Sequence, residues 1–196
     1  MPDLLLFVED TAHETFLTAL CRRVVAEAGL SLAIHSRHAQ GGAGRMTRAL
    51  QEFFVDLQRA ATARPAAVIV ARDANCLGWT ERRKELLKVL RRREAFPVIL
   101  AIPDPHIERW FLIDSQAFKA VFRRGCAAPD QKCARDRYKN LFQQAIREAG
   151  RIPLFGGYEH VPDLVRHLDL EFLARQDRSF ALFMQDLTNA LNELKR

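Results

Sequence analysis

The sequence predicts an α/β fold: a Rossmann-like, four-stranded, mainly parallel sheet flanked by helices, with a helical C-terminal half. Three observations carry this. Short, nearly continuous apolar runs recur through the first hundred residues, helix-length segments separate them, and after Pro103 only helical spacing remains. Apolar strands alternating with helices are the pattern of a parallel sheet covered on both faces.

Leu4-Leu5-Leu6-Phe7-Val8 forms the first strand and stops at Glu9-Asp10. Thr11 with Glu14 three residues on reads as a capping box, and Phe16, Leu17, Leu20, Val24 and Val25 follow at helical spacing as far as Gly29. Leu30 to His35 is a weaker second strand. Gln40 to Arg45 is a glycine-rich loop, and Met46 to Ala63 a helix with Leu50, Phe53, Phe54 and Leu57 on one face. Ala66 to Ala71 is the clearest buried strand. Glu81 to Glu94 is a charged helix, and Pro97 to Ile102 the fourth strand. Helical segments then follow at Ile107–Ile113, Gln116–Arg123, Gln131–Ala149, Val161–Ala174 and Ser179–Leu194. Without a linker or repeat, residues 1–196 read as one domain, an α/β core over 1–102 with a helical extension over 103–196 packed on it.

The 196 residues carry 30 Lys plus Arg against 24 Asp plus Glu, a net charge of +6, and 48% are hydrophobic. That balance excludes disordered and fibrous classes. No apolar run approaches the ~18 residues of a membrane span. The first residues lack a basic segment and acids interrupt their apolar run, which argues against a signal peptide and for a cytoplasmic protein. Cys21, Cys76, Cys126 and Cys133 form no close pair that would hold structural zinc, so they are expected to be reduced thiols.

Ligands of parallel α/β sheets bind at the carboxyl ends of the strands. Glu9 and Asp10 follow the first strand. Arg72, Asp73, Ala74 and Asn75 follow the third, and Asp104, His106 and Glu108 the fourth. Any one such cluster suits a loop or a helix start. Three at one sheet edge point to hard oxygen ligands for Mg²⁺ or Mn²⁺. Such an ion polarises a phosphoryl oxygen and acidifies an attacking water.

Arg82, Arg83, Lys84, Lys88, Arg91, Arg92 and Arg93 follow the Asp73 loop and form a basic stripe suited to a phosphate backbone. Glu81, Glu85 and Glu94 offer the same helix local ion pairs. A second basic segment runs from Arg123-Arg124 through Lys132, Arg135, Arg137 and Lys139. Gly41-Gly42-Ala43-Gly44-Arg45 lacks the Walker A pattern, and before a helix it reads either as an ordinary loop turn or as a loop that brings Arg45 to a nucleic-acid backbone. Trp79 is the better candidate for base stacking; the remaining aromatic residues read as core.

Val8-Glu9-Asp10, Gly41-Gly42-Ala43-Gly44, Asp73-Ala74-Asn75 and Glu108-Arg109-Trp110, in that order, resemble the Toprim domain of topoisomerases, primases and OLD-type nucleases. The similarity is closest to small stand-alone bacterial Toprim-like proteins, and Gly156-Gly157-Tyr158 and Ser179-Phe180 extend it along the chain. The resemblance implies Glu9 as metal ligand or general acid/base, and Asp73 as a Mg²⁺ or Mn²⁺ ligand with Asn75. Glu108 becomes a further ligand, and Asp10, His13 and His106 stand around these. Asn75 departs from the family's second aspartate, which lowers the negative charge. The expected function is a metal-dependent nuclease or nucleotidyl-transfer protein acting on DNA or RNA. An ATPase partner in anti-phage defence is implied by the resemblance alone, and an oligomer is compatible with it. The alternative is a non-catalytic module that binds nucleic acid or a partner protein.

Overall fold

The computed structural model describes residues 3–39, 42–59, 64–90 and 96–195. Strands β1 (Asp3–Val8), β2 (Ala33–His38), β3 (Ala67–Ala71) and β4 (Val98–Ala101) form one sheet in the order β2-β1-β3-β4, with every neighbouring pair parallel. Leu5 lies opposite Val68, which lies opposite Val98. β3 is buried along its whole length, whereas β2 is a half-exposed edge strand. That explains why the sequence marks β3 clearly and β2 weakly.

Successive side chains of β1 point to opposite faces, and this separates two apolar layers. Leu4, Leu6 and Val8 pack with Phe16 and Leu20 of α1 (Thr11–Glu27). The same layer contains Trp110 of α4 (Ile107–Leu112), Phe118 of α5 (Ser115–Phe122), Phe142 of α6 (Arg137–Glu148), Leu164 of α7 (Val161–His167), Leu173 of α8 (Leu170–Gln176) and Phe183 of α9 (Arg178–Leu194). Phe7 faces the other way, onto Leu50 and Phe54 of α2 (Gly42–Arg59) and Leu86 of α3 (Trp79–Leu90). The C-terminal helices thus complete the core of the first half. Each fully buried large side chain there contributes about 1.5–3 kcal/mol.

Several boundaries differ from the sequence expectation, each for a local reason. Asp10, not Thr11, caps α1, because its carboxylate accepts the His13 backbone N–H; Glu14 instead binds Ser36 and His38 on β2. β2 begins at Ala33, since its register is set by pairing Ala33 with Asp3. α2 begins at Gly42, so most of the expected glycine loop forms its first turn. Residues 124–136 precede α6 as an irregular segment rather than a helical start. The expected helix over Val161–Ala174 breaks at Leu168-Asp169, where Asp169 caps α8 by accepting the Phe172 N–H.

Cys76 and Cys133 form a disulfide, which corrects the expectation of four free thiols. Their separation of 57 residues hid the pairing, because the fold rather than the spacing brings them together. Cys21 is a buried thiol pushed up to about 12 by desolvation, and Cys126 is half-buried. Among the described residues, no helix is long and apolar enough to cross a membrane.

Candidate metal and phosphate site

From β1 the chain crosses to β2 on one side of the sheet, and from β3 to β4 on the other. The order reverses between β1 and β3, and a crevice forms at their carboxyl ends. Glu9 leaves β1 there and Asp73 leaves β3. Glu9 Oε2 accepts the Asp73 backbone N–H at 3.1 Å, so the two strand ends are tied directly.

Asp73 is the hub. Its Oδ1 accepts the Ile107 backbone N–H at 2.9 Å, and its Oδ2 lies 3.0 Å from His106 Nδ1. His13 is fully buried one turn into α1, with Nδ1 2.8 Å from Asp10 Oδ1 and Nε2 3.1 Å from Asp73 Oδ1. That second approach is close but lacks hydrogen-bond alignment, and His13 Nε2 and His106 Nε2 are both buried without a hydrogen-bond partner. Glu108, in the first turn of α4, is 7% exposed, and its Oε1 accepts the Tyr158 hydroxyl at 2.7 Å.

Electrostatics follow from this crowding. Burial raises Glu9 above the usual carboxylate range and the nearby charge of Asp73 adds to it. Glu108 is raised for the same two reasons, against the Tyr158 hydrogen bond. Burial also acts to raise Asp73, but the imidazoles of His13 and His106 outweigh it and hold the carboxyl below its usual range. Burial opposes charge on His13, yet Asp73 and Asp10 hold it well above the usual imidazole value. The Asp73 hydrogen bond raises His106 in the same direction. Burial opposes ionisation of Asp10, and the His13 contacts bring it down to about 2.

A cavity of 350 Å³ opens beside this group, lined by Asp10, Asp73, Asn75, His106 and Glu108 on one side. The Cys76–Cys133 bond, Arg135, Asp136, Lys139, Tyr138 and Tyr158 supply the rest of the wall. Arg135 and Lys139 are exposed cations, with Arg135 3.5 Å from Asp136. Glu9, His13 and Asp73 each bring a ligand-type atom to within 4.8 Å of one another. Together these features offer a centre for a divalent ion next to a rim that attracts anions.

The fold brings Glu9, Asp10, His13, Asp73, His106 and Glu108 together at the carboxyl edge of the sheet. Asn75 lines the cavity, but its backbone is left-handed (φ 51°) and its amide leans 3.4 Å from the Asp73 carbonyl, within its own turn.

Among the described residues, the basic stripe on α3 does not reach the cavity wall. Arg82 is 7% exposed and donates to the Asp73 carbonyl at 2.9 Å and to Glu85, so it braces the loop from beneath. Lys84 pairs with Glu81 at 2.6 Å. Arg83 lies over the Trp79 ring, 5.7 Å from its centroid, which occupies the proposed stacking platform. Lys88 is exposed. The Arg45 side chain, Arg91 and Arg92 lie outside the described residues.

Arg135 and Lys139 belong to the second basic segment that the sequence offers, and sequence reasoning missed the role of Tyr158. The glycine pair before Tyr158 was the available signal. Gly157 has φ 92°, and a Cβ on it would stand 2.3 Å from Ile146 Cδ1. Only glycine makes that turn against α6 and delivers the Tyr158 hydroxyl to Glu108.

The profile of a family described as a domain of unknown function, DUF4276, matches residues 8–188. No curated protein and no solved structure matches the chain.

Proposed function

This chain belongs to the DUF4276 family, and we propose that it is a divalent-metal-dependent phosphodiesterase, of Toprim-like type, acting on DNA or RNA. The observation that carries this reading is the meeting of Glu9, Asp73 and Glu108 from three separate strand ends beside a cavity rimmed by Arg135 and Lys139. Glu9 and Glu108 are both raised by burial and by the charge of Asp73, a repulsion that a bound divalent ion relieves. The orphaned Nε2 of His13 fits an ion as well.

Glu9 and Asp73 would hold Mg²⁺ or Mn²⁺, with Glu108 beside them. When bound, the ion supplies charge neutralisation at a phosphoryl oxygen and a more acidic water. Glu9, at the carboxyl end of β1 and tied to Asp73, is placed either to hold the ion or to take a proton from the attacking water. His106 holds Asp73 in place through Nδ1. Arg135 and Lys139 would take the flanking phosphates. This reading keeps the protein in the cytoplasm, where the Cys76–Cys133 bond would be open to reduction.

Incubation with supercoiled plasmid and with single-stranded DNA and RNA, in Mg²⁺ or Mn²⁺, tests the reading. Metal-dependent cleavage is expected, reduced roughly 10²–10⁴-fold by Glu9→Gln. If wild type and Glu9→Gln behave alike in both metals, the enzyme reading fails. Salt-sensitive binding without turnover would then favour a nucleic-acid-binding module.

A further inference from the structure

We propose that His13 is itself a metal ligand, so that the centre is a mixed nitrogen and oxygen site that selects Mn²⁺ or Zn²⁺ over Mg²⁺. This rests on the metal-dependent reading above and names its ion.

Four observations support it. His13 is fully buried, so its ring is not an ordinary surface group. Its Nδ1 is engaged by Asp10 Oδ1 at 2.8 Å. A carboxylate accepts only, so this bond keeps a proton on Nδ1, and an ion that displaces the second imidazole proton meets the Nε2 lone pair facing inward. Carboxylate–histidine–metal relays orient imidazole ligands in this way.

Nε2 then has no hydrogen-bond partner although Asp73 Oδ1 is 3.1 Å away. In the metal-free protein a second imidazole proton offsets the repulsion between these two acceptor atoms, and a bound ion takes the place of that proton and serves both. Asp73 Oδ1 already receives the Ile107 N–H at 2.9 Å, so it is positioned by the backbone independently of His13. Glu9 closes the third side, tied to Asp73 through the backbone, with all three donor atoms within 4.8 Å of one another. Donors bound at about 2.0–2.2 Å from one ion span no more than about 4.4 Å, a small contraction of this spacing.

The donor chemistry sets the ion. Mg²⁺ favours oxygen and retains most of its water, whereas imidazole suits borderline ions. In the metal-free protein a protonated His13 bridges Asp10 and Asp73, but its Nε2 makes no aligned hydrogen bond to Asp73, which leaves that nitrogen open to exchange its proton for an ion.

Equilibrium dialysis of the metal-free full chain against Mg²⁺, Mn²⁺ and Zn²⁺ in turn, with pulsed electron paramagnetic resonance of the Mn²⁺ form, tests this. The expected result is one ion per chain, Mn²⁺ and Zn²⁺ bound roughly tenfold or more tighter than Mg²⁺, and a nitrogen coupling to Mn²⁺. His13→Gln should remove that coupling and His106→Gln should keep it. Asp10→Asn should keep it with affinity weakened about 10–100-fold. Equal Mg²⁺ and Mn²⁺ affinity, no bound ion, no nitrogen coupling in wild type, or coupling retained in His13→Gln would each overturn the proposal. The wild-type spectrum decides even if His13→Gln fails to fold. Cleavage in Mg²⁺ without nitrogen coupling would sink this inference alone, and nitrogen coupling without cleavage would sink the phosphodiesterase reading alone.

Discussion

Tyr158 donates its hydroxyl to Glu108 at 2.7 Å across 50 residues of chain, and so anchors a buried site carboxylate that comes from the helical half. The bond opposes the burial that pushes the Glu108 carboxyl up. In Tyr158→Phe that opposition is lost and Glu108 titrates higher still. We expect the acid limb of any pH–rate profile to move up and stability to fall by about 1 kcal/mol. An unshifted acid limb with an unchanged melting temperature would show that Tyr158 does not act on Glu108.

Arg82 and the Arg135–Lys139 pair should separate cleanly. Arg82 is buried beneath the Asp73 loop, so Arg82→Ala should lower stability by about 2 kcal/mol, given the partial exposure of its partner Glu85. Nucleic-acid affinity at a temperature where the variant is folded should hardly change. Arg135→Ala with Lys139→Ala should leave melting intact and reduce the salt slope of binding by about one per lost phosphate contact. The reverse outcome would return the basic stripe of α3 to the interface.

Stability should be highest in mildly acidic solution when metal is absent. His13 and His106 titrate above their ordinary value of 6.5, so their contribution is complete below pH 6.5 and is lost as pH rises through the folded values. Asp73, held below its ordinary 3.8, contributes above pH 3.8 and loses this as pH falls through its folded value. Glu9 and Glu108 are raised above 4.5, so their ionisation disfavours the fold as pH climbs past 4.5. The melting temperature should therefore peak between these limits and decline through the alkaline range. Saturating Mn²⁺ should flatten that decline. A metal-free melting temperature that climbs steadily above pH 6.5 would contradict the assignment.

Opening the Cys76–Cys133 bond should matter to the whole molecule. It closes a separation of 57 residues, and in the chain-entropy account a loop of that size is worth about 4 kcal/mol. Differential scanning calorimetry with and without a dithiol reductant should show a drop of roughly 10 °C. Cys133→Ser should reproduce it, and reductant should add nothing further to that variant. Identical melting in both conditions would mean the bond does not form in solution.

The strand ends were legible because the relevant signals are local. Apolar runs of strand length stop abruptly at Glu9 and at Arg72-Asp73, and a parallel sheet must align those stops at one edge. Where expectation slipped, a longer-range contact had decided the matter. Asp10 displaced Thr11 as the cap of α1 because its carboxylate serves both the backbone and the ring of His13. Arg82 left the basic stripe because the Asp73 carbonyl and Glu85 needed a buried donor.

By itself, the sequence determined the α/β class, the parallel strands and the three acidic strand ends. Those depend on hydrophobic periodicity and on residues adjacent in the chain. Only the tertiary structure decided that His13 faces Asp73 with an unpartnered nitrogen, that Tyr158 meets Glu108, that Cys76 joins Cys133, and that Arg135 and Lys139 rim the site. Each of those is a meeting of distant segments in a packed interior, where burial and unmet hydrogen-bonding capacity select partners that sequence spacing does not encode.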